Sequence, residues 1–200
     1  MLFRSRSAKA DRSRGPTFPD LIVYSISDAS DDAACVARCL EGDTAAFEPL
    51  VMRYQRALFT VALRLTANRE DARDATQNAF IRAFERLDTF DPSRRFFSWL
   101  YRIAVNESLN LRRTQKPHDP IDPSMGLVAR ATADPVERAE LSARVQAALM
   151  QLPFDQREVI VLRHFAEMSY EEIGDALSLP EKTVKSRLFA ARQRLGPLLT

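Results

Sequence analysis

Glycine is scarce in this 200-residue chain, with five in all, and cysteine and histidine number two each. So few glycines, with few alternating runs of β-branched residues, argue against sheets and for an all-helical protein. Cys35 and Cys39 stand four apart on a helical stretch with no histidine nearby. Two lone ligands make a poor metal or redox pair, and small apolar helix residues are the better account. His118, among prolines, and His164, on a helix, lie far apart and suggest no site. Paired carboxylates, a glycine-rich phosphate loop and a metal cluster are all missing, so little supports an enzyme, and no cofactor is expected. A strong excess of one charge is missing too. Net charge is +2, so any binding to nucleic acid must use local patches. No apolar run reaches the length of a membrane-spanning helix. Arg4, Arg6, Lys9, Arg12 and Arg14 open the chain, but Leu21 to Tyr24 is too short for a signal peptide core. A cytoplasmic protein without membrane insertion is expected.

What is present is helical periodicity, in a chain with 46% hydrophobic residues. Residues 1–30 are polar and basic, and read as a disordered arm. From residue 31 to 113 the pattern is helical. The first helix is expected over 31–41, and a longer one from Asp43 or Thr44. That second helix puts Phe47, Leu50, Tyr54, Leu58, Ala62 and Leu65 on one face, and tolerates Pro49 only near its start. A third, over 70–87, turns Ala72, Ala75, Ala79, Phe80, Ala83, Phe84 and Leu87 inward. Its other side carries Asp74, Gln77, Asn78 and Ile81, a polar stripe ending in an isoleucine. That stripe suits a protein contact and a solvated face equally.

Next, Arg94, Arg95 and Arg102 interleave with Phe96, Phe97, Trp99 and Tyr101 within nine residues. Rings beside guanidiniums suit single-stranded nucleic acid, the rings for base stacking and the cations for backbone. Trp99 and one of Phe96 and Phe97 are expected in the core; burying all four rings in a turn and a half looks difficult. The helix is expected to run on to Arg113, with Arg102, Asn106, Asn110 and Arg113 along one side.

Residues 114–135 hold Pro117, Pro120, Pro123 and Pro135 without helical period, and read as a flexible linker. The second domain, 136–200, ends in two helices joined by a tight turn. Ser169 and Glu172 have capping-box spacing, and Ile173, Ala176 and Leu177 make an apolar face. Leu177-Ser178-Leu179 makes the connection and Pro180 opens the next helix. There Val184, Leu188, Ala191 and Leu195 point inward, leaving Lys182, Thr183, Lys185, Ser186, Arg187 and Arg192 outward. Two apolar-faced helices, the second basic, form the pattern of a helix-turn-helix that reads duplex DNA. A plain helical hairpin with a solvated basic face is the blander account. Segregated charge and the Thr and Ser near the helix start favour DNA.

With these residues laid out, the chain resembles the extracytoplasmic-function (ECF) sigma factors, group 4 of the sigma-70 family of bacterial RNA polymerase subunits. The resemblance spans roughly Asp31 to Leu195. It rests on Asp74, Gln77 and Phe80; on Phe96-Phe97-Ser98-Trp99-Leu100-Tyr101-Arg102-Ile103-Ala104 with Asn106; and on Leu152-Pro153, Arg157-Glu158-Val159, Ser169-Tyr170-Glu171-Glu172-Ile173 and Thr183-Val184-Lys185-Ser186-Arg187-Leu188. It implies an N-terminal helical bundle (region 2) and a C-terminal four-helix helix-turn-helix domain (region 4). Asp74, Gln77, Asn78, Phe80 and Ile81 would then dock on core RNA polymerase. Arg94, Arg95, Phe96, Phe97, Tyr101, Arg102, Asn106, Asn110 and Arg113 would bind and melt the −10 element. Lys182, Thr183, Lys185, Ser186, Arg187 and Arg192 would meet the −35 element. Partners implied are core polymerase, promoter DNA and a dedicated anti-sigma factor, the free chain being monomeric. The rival within DNA binding is a stand-alone helix-turn-helix regulator. Nine basic against nine acidic residues from Val136 to Thr200 argue against strong solitary binding.

Overall fold

The periodic runs form eight α-helices in a computed structural model that describes residues 29–105 and 135–199. Asn106, Asn110, Arg113, His118, the proline-rich stretch through residue 134 and the arm through residue 28 lie outside the described residues. The helices are α1 (Ala29–Leu40), α2 (Glu48–Thr66), α3 (Arg69–Glu85), α4 (Phe96–Ala104), α5 (Pro135–Met150), α6 (Phe154–Phe165), α7 (Tyr170–Leu177) and α8 (Glu181–Leu199). No strand occurs among the described residues, and the fold is all-α.

Local chemistry sets the boundaries. A 3₁₀ turn, Thr44–Phe47, occupies the place where the second helix was expected to begin. The α-helix proper starts at Glu48, which keeps Pro49 in its first turn, where a missing N–H costs nothing. Ala67, at φ 53°, ends α2 in the left-handed region. Asn68 then caps α3, its side-chain oxygen accepting from the N–H groups of Glu70 and Asp71 at 2.9 and 3.1 Å.

The first half packs around α2, whose Leu50, Tyr54, Leu58 and Leu65 are buried as the period requires. The Tyr54 hydroxyl and the Arg53 guanidinium both donate to the buried Asp32 carboxylate, tying α1 to α2. Burial raises the Asp32 pKa despite these donors. Phe84 departs from its expected inward place. It is 42% exposed, held edge-on against Phe47 at 5.1 Å, at the margin of the face that buries Phe80, Ala83 and Leu87.

In the second half, α8 packs on α6, α7 and α5. The two halves also pack on each other, α2 against α5 and α6, and α4 against α7. The joint is polar at its centre. Arg64, buried in α2, donates to the Gln146 side-chain oxygen at 3.0 Å and the Ser142 hydroxyl at 3.1 Å. The Gln146 amide returns a bond to the Arg64 carbonyl at 3.2 Å, and Arg64 stacks 5.0 Å from the Phe165 ring centre. These partners carry no charge, and burial pulls the Arg64 pKa down to about 10. Arg157 reaches from α6 to the Leu65 carbonyl at 2.7 Å, satisfying an orphan acceptor at the end of α2.

Candidate nucleic-acid interface

The turn between α7 and α8 is built as its sequence demands. Ser169 accepts from the Glu172 N–H at 3.1 Å, and the Glu172 carboxylate accepts from the Ser169 N–H at 2.6 Å. That is the full capping box. Ser178 takes φ 55° to end α7, and the Leu179 N–H closes back on the Gly174 carbonyl at 2.8 Å. A Cβ on Gly174 would stand 2.7 Å from the Leu179 carbonyl oxygen, so only glycine permits so tight a turn. Pro180 directly precedes α8, and its carbonyl accepts from Thr183 and Val184.

Beyond the turn, Val184, Leu188, Ala191 and Leu195 are buried, as expected. Lys182, Lys185 and Ser186 are exposed on the opposite face. The Lys185 ammonium lies 2.7 Å from Glu181 and 5.6 Å from the Tyr170 ring centre. Phe189, absent from the expected set, shares this face and is 66% exposed. Its signal was available: it follows Lys185 by four and Ser186 by three, the spacing of one helical face. Thr183, Arg187 and Arg192 are half-buried rather than fully outward. Arg187 sits 3.5 Å from Asp155 of α6, and the Arg192 charge acts on His164. His164 is held neutral, its pKa pushed down to about 4 by burial and by Arg192 and Arg163.

The α3 stripe is largely as read. Asp74, Gln77, Asn78 and Ile81 are exposed and Phe84 extends the apolar end, whereas Phe80 is buried against Phe47. Phe80 therefore supports this surface chiefly from beneath.

The larger correction concerns α4. Phe96, Phe97 and Tyr101 are fully buried and Trp99 nearly so, so one short helix does bury all four rings. It can because neighbours converge from several sides. Tyr54 stacks on Phe96 at 5.4 Å and tilts against Phe97 at 5.9 Å, and Phe90 meets both Phe96 and Trp99. Tyr101 instead crosses the joint, its hydroxyl donating to Glu158 of α6 at 3.1 Å. Stacking by Phe96 and Phe97 would require dismantling the core of the first half. The cations remain outside: Arg94, Arg95 and Arg102, with the edge of Trp99, line an open cleft of about 680 Å³ whose far wall is α7.

Among the described residues no cluster of His, Cys, Asp or Glu could hold a metal ion. Cys39 is a buried free thiol whose pKa is raised chiefly by burial, as befits a packing residue. No described helix is long and apolar enough to cross a membrane.

Residues 50–118 match the family model for sigma-70 region 2, and residues 142–195 that for sigma-70 region 4. The ECF RNA polymerase sigma factor SigW of Bacillus subtilis (strain 168) is 36% identical over 78% of this chain and 89% of its own length. The chain is an ECF sigma factor. It thus binds core RNA polymerase and promoter DNA, directs the enzyme at initiation, and is neither an enzyme itself nor a stand-alone regulator. Solved structures of this sigma-factor family agree. CnrH, in complex with the cytosolic domain of CnrY, is 33% identical over 86% of this chain and 97% of its own, with a TM-score of 0.67. RpoE of Bartonella quintana, in complex with the anti-sigma factor NepR, is 26% identical over 76% of this chain and 96% of its own, with a TM-score of 0.63.

Proposed function

We propose that this sigma factor divides its work among three surfaces. The exposed α3 stripe of Asp74, Gln77, Asn78 and Ile81, extended by Phe84, docks on core polymerase. The α8 face of Lys182, Lys185, Ser186 and Phe189 enters the major groove of the −35 element. There the lysines meet phosphate or guanine, and Phe189 packs on thymine methyl groups. Arg94, Arg95 and Arg102 hold the backbone of the opened −10 strand while the Trp99 edge faces its bases. The observation that carries this reading is the α8 face, where cations, a hydroxyl and an exposed aromatic share one stripe beyond a capped turn. A cytoplasmic location follows from this work, and a dedicated anti-sigma factor is the proposed regulator.

Run-off transcription with purified core polymerase tests the division. Lys185→Ala should impair promoters with an intact −35 element and leave core binding unchanged, and Asp74→Ala should do the reverse. Core binding lost in Lys185→Ala would refute the assignment of faces.

A further inference from the structure

Two of the three proposed −10 cations, Arg94 and Arg95, are paired in this structure. Arg94 Nη1 lies 2.9 Å from Asp175 Oδ1, and Arg95 Nη1 lies 3.0 Å from Glu172 Oε1. Both carboxylates belong to α7, the first helix of the helix-turn-helix, so each pair bridges the two halves of the chain. Behind them the Tyr101–Glu158 hydrogen bond and the α2–α6 packing hold the halves together.

We propose that α7 carries an internal mimic of promoter phosphate. Its Glu172 and Asp175 carboxylates occupy Arg94 and Arg95 in a closed form of the chain, and the −10 strand must displace them. The inference rests on the assignment of those arginines to the −10 strand made above.

Carboxylate and phosphate oxygens offer a guanidinium the same kind of acceptor. The two pairs are partly exposed, the Arg94–Asp175 side chains at 49% and 42%, so each is weak and screened by salt. A DNA strand offers a run of phosphates and releases counterions as it binds, which lets it compete. The joint is also poised to yield. Closing it buries the Arg64 guanidinium among neutral partners, and a buried charge without a counter-ion opposes closure. Closure covers only one reader. Lys182, Lys185 and Phe189 stay exposed while the α7 carboxylates engage Arg94 and Arg95 across the cleft.

Two full-length variants test this. Gln146→Ala removes the Arg64 amide partner far from the cleft and changes no charge. Glu172→Gln with Asp175→Asn removes both carboxylates, and glutamine keeps the capping bond at position 172. Small-angle scattering reads compactness, and anisotropy of a fluorescent, mixed-sequence single-stranded DNA reads access to the cleft. Both variants should have a larger radius of gyration than the parent and bind the strand about tenfold more tightly. Unchanged compactness in both, or expansion without tighter binding, would overturn the mimic. So would a gain confined to the neutralised variant, since that would reflect local charge alone. Adding Arg95→Ala to Gln146→Ala should abolish the gain. If the strand still binds tightly, the −10 assignment fails, and the mimic with it, even though the chain opens.

Discussion

The start of α4 and the outer face of α8 are both cation-bearing surfaces proposed to meet DNA, and they are built in opposite ways. On α8 Val184, Leu188, Ala191 and Leu195 form one buried stripe, and Lys182, Lys185, Ser186 and Phe189 project from the opposite face, Lys185 held locally by Glu181. On α4 eight of nine residues are buried, and Arg94 and Arg95 sit at its edge, drawn toward α7. A surface reader such as α8 can be altered residue by residue. The α4 edge depends on the core beneath it, so changes there act on the fold before they act on DNA.

The largest effect should come from Phe96→Ala. This ring is fully buried between Tyr54, Phe90 and Trp99, and its removal should cost about 3–5 kcal/mol of stability. Urea unfolding should show the loss, while Lys185→Ala should stay within about 0.5 kcal/mol of the parent. A Phe96→Ala protein of unchanged stability, defective only in promoter opening, would return this ring to the DNA and end the contrast.

The two halves should also differ in acid. His164 in α6 has its pKa pushed from 6.5 to about 4, so the unfolded chain takes up a proton that the folded chain refuses. Its contribution is intact above pH 6.5 and is lost as pH falls toward 4, by about 3 kcal/mol in all. Asp32 in the first half has the opposite sign. Its raised folded-state pKa gives stability that is present below the unfolded value of 3.8 and lost as pH rises through the folded one. Mild acid should therefore loosen the second half first. Hydrogen exchange at pH 7 and pH 4.5 would locate the loss, and His164→Gln should reduce it; equal loss in both halves would remove the distinction.

How far the sequence disclosed all this follows the same divide. The α8 register, the capping box and the α3 stripe were legible because each depends on spacing within one helix. Phe80 kept the inward place that periodicity gave it and Phe84 did not, because periodicity fixes the centre of a helix face and says nothing of how far neighbours cover its margin. The α4 rings were misread for a related reason. Counting rings per turn of one helix omits Tyr54 and Phe90, which come from elsewhere and make room for all four. The joint gave no local signal at all. Arg64 meets Ser142 and Gln146 across about eighty residues of chain, and nothing in the spacing of either segment names the other.

The smallest expected effect probes whether the α8 reader depends on the turn before it. Ser169→Ala removes the acceptor for the Glu172 N–H and should cost about 1 kcal/mol, the usual worth of an N-cap. Glu172 also holds Arg95 at 3.0 Å, so one carboxylate serves both the cap and the cross-domain pair. Losing the Ser169 hydroxyl leaves that carboxylate in place but frees the first turn of α7 to fray. Duplex binding by α8 should weaken only slightly, because Val184, Leu188 and Leu195 still seat that helix on its own core. Binding of a single strand should rise, because a frayed α7 holds Arg95 less firmly. A fall in both together would mean that the capped turn serves α8 alone, and the two DNA surfaces would be independent after all.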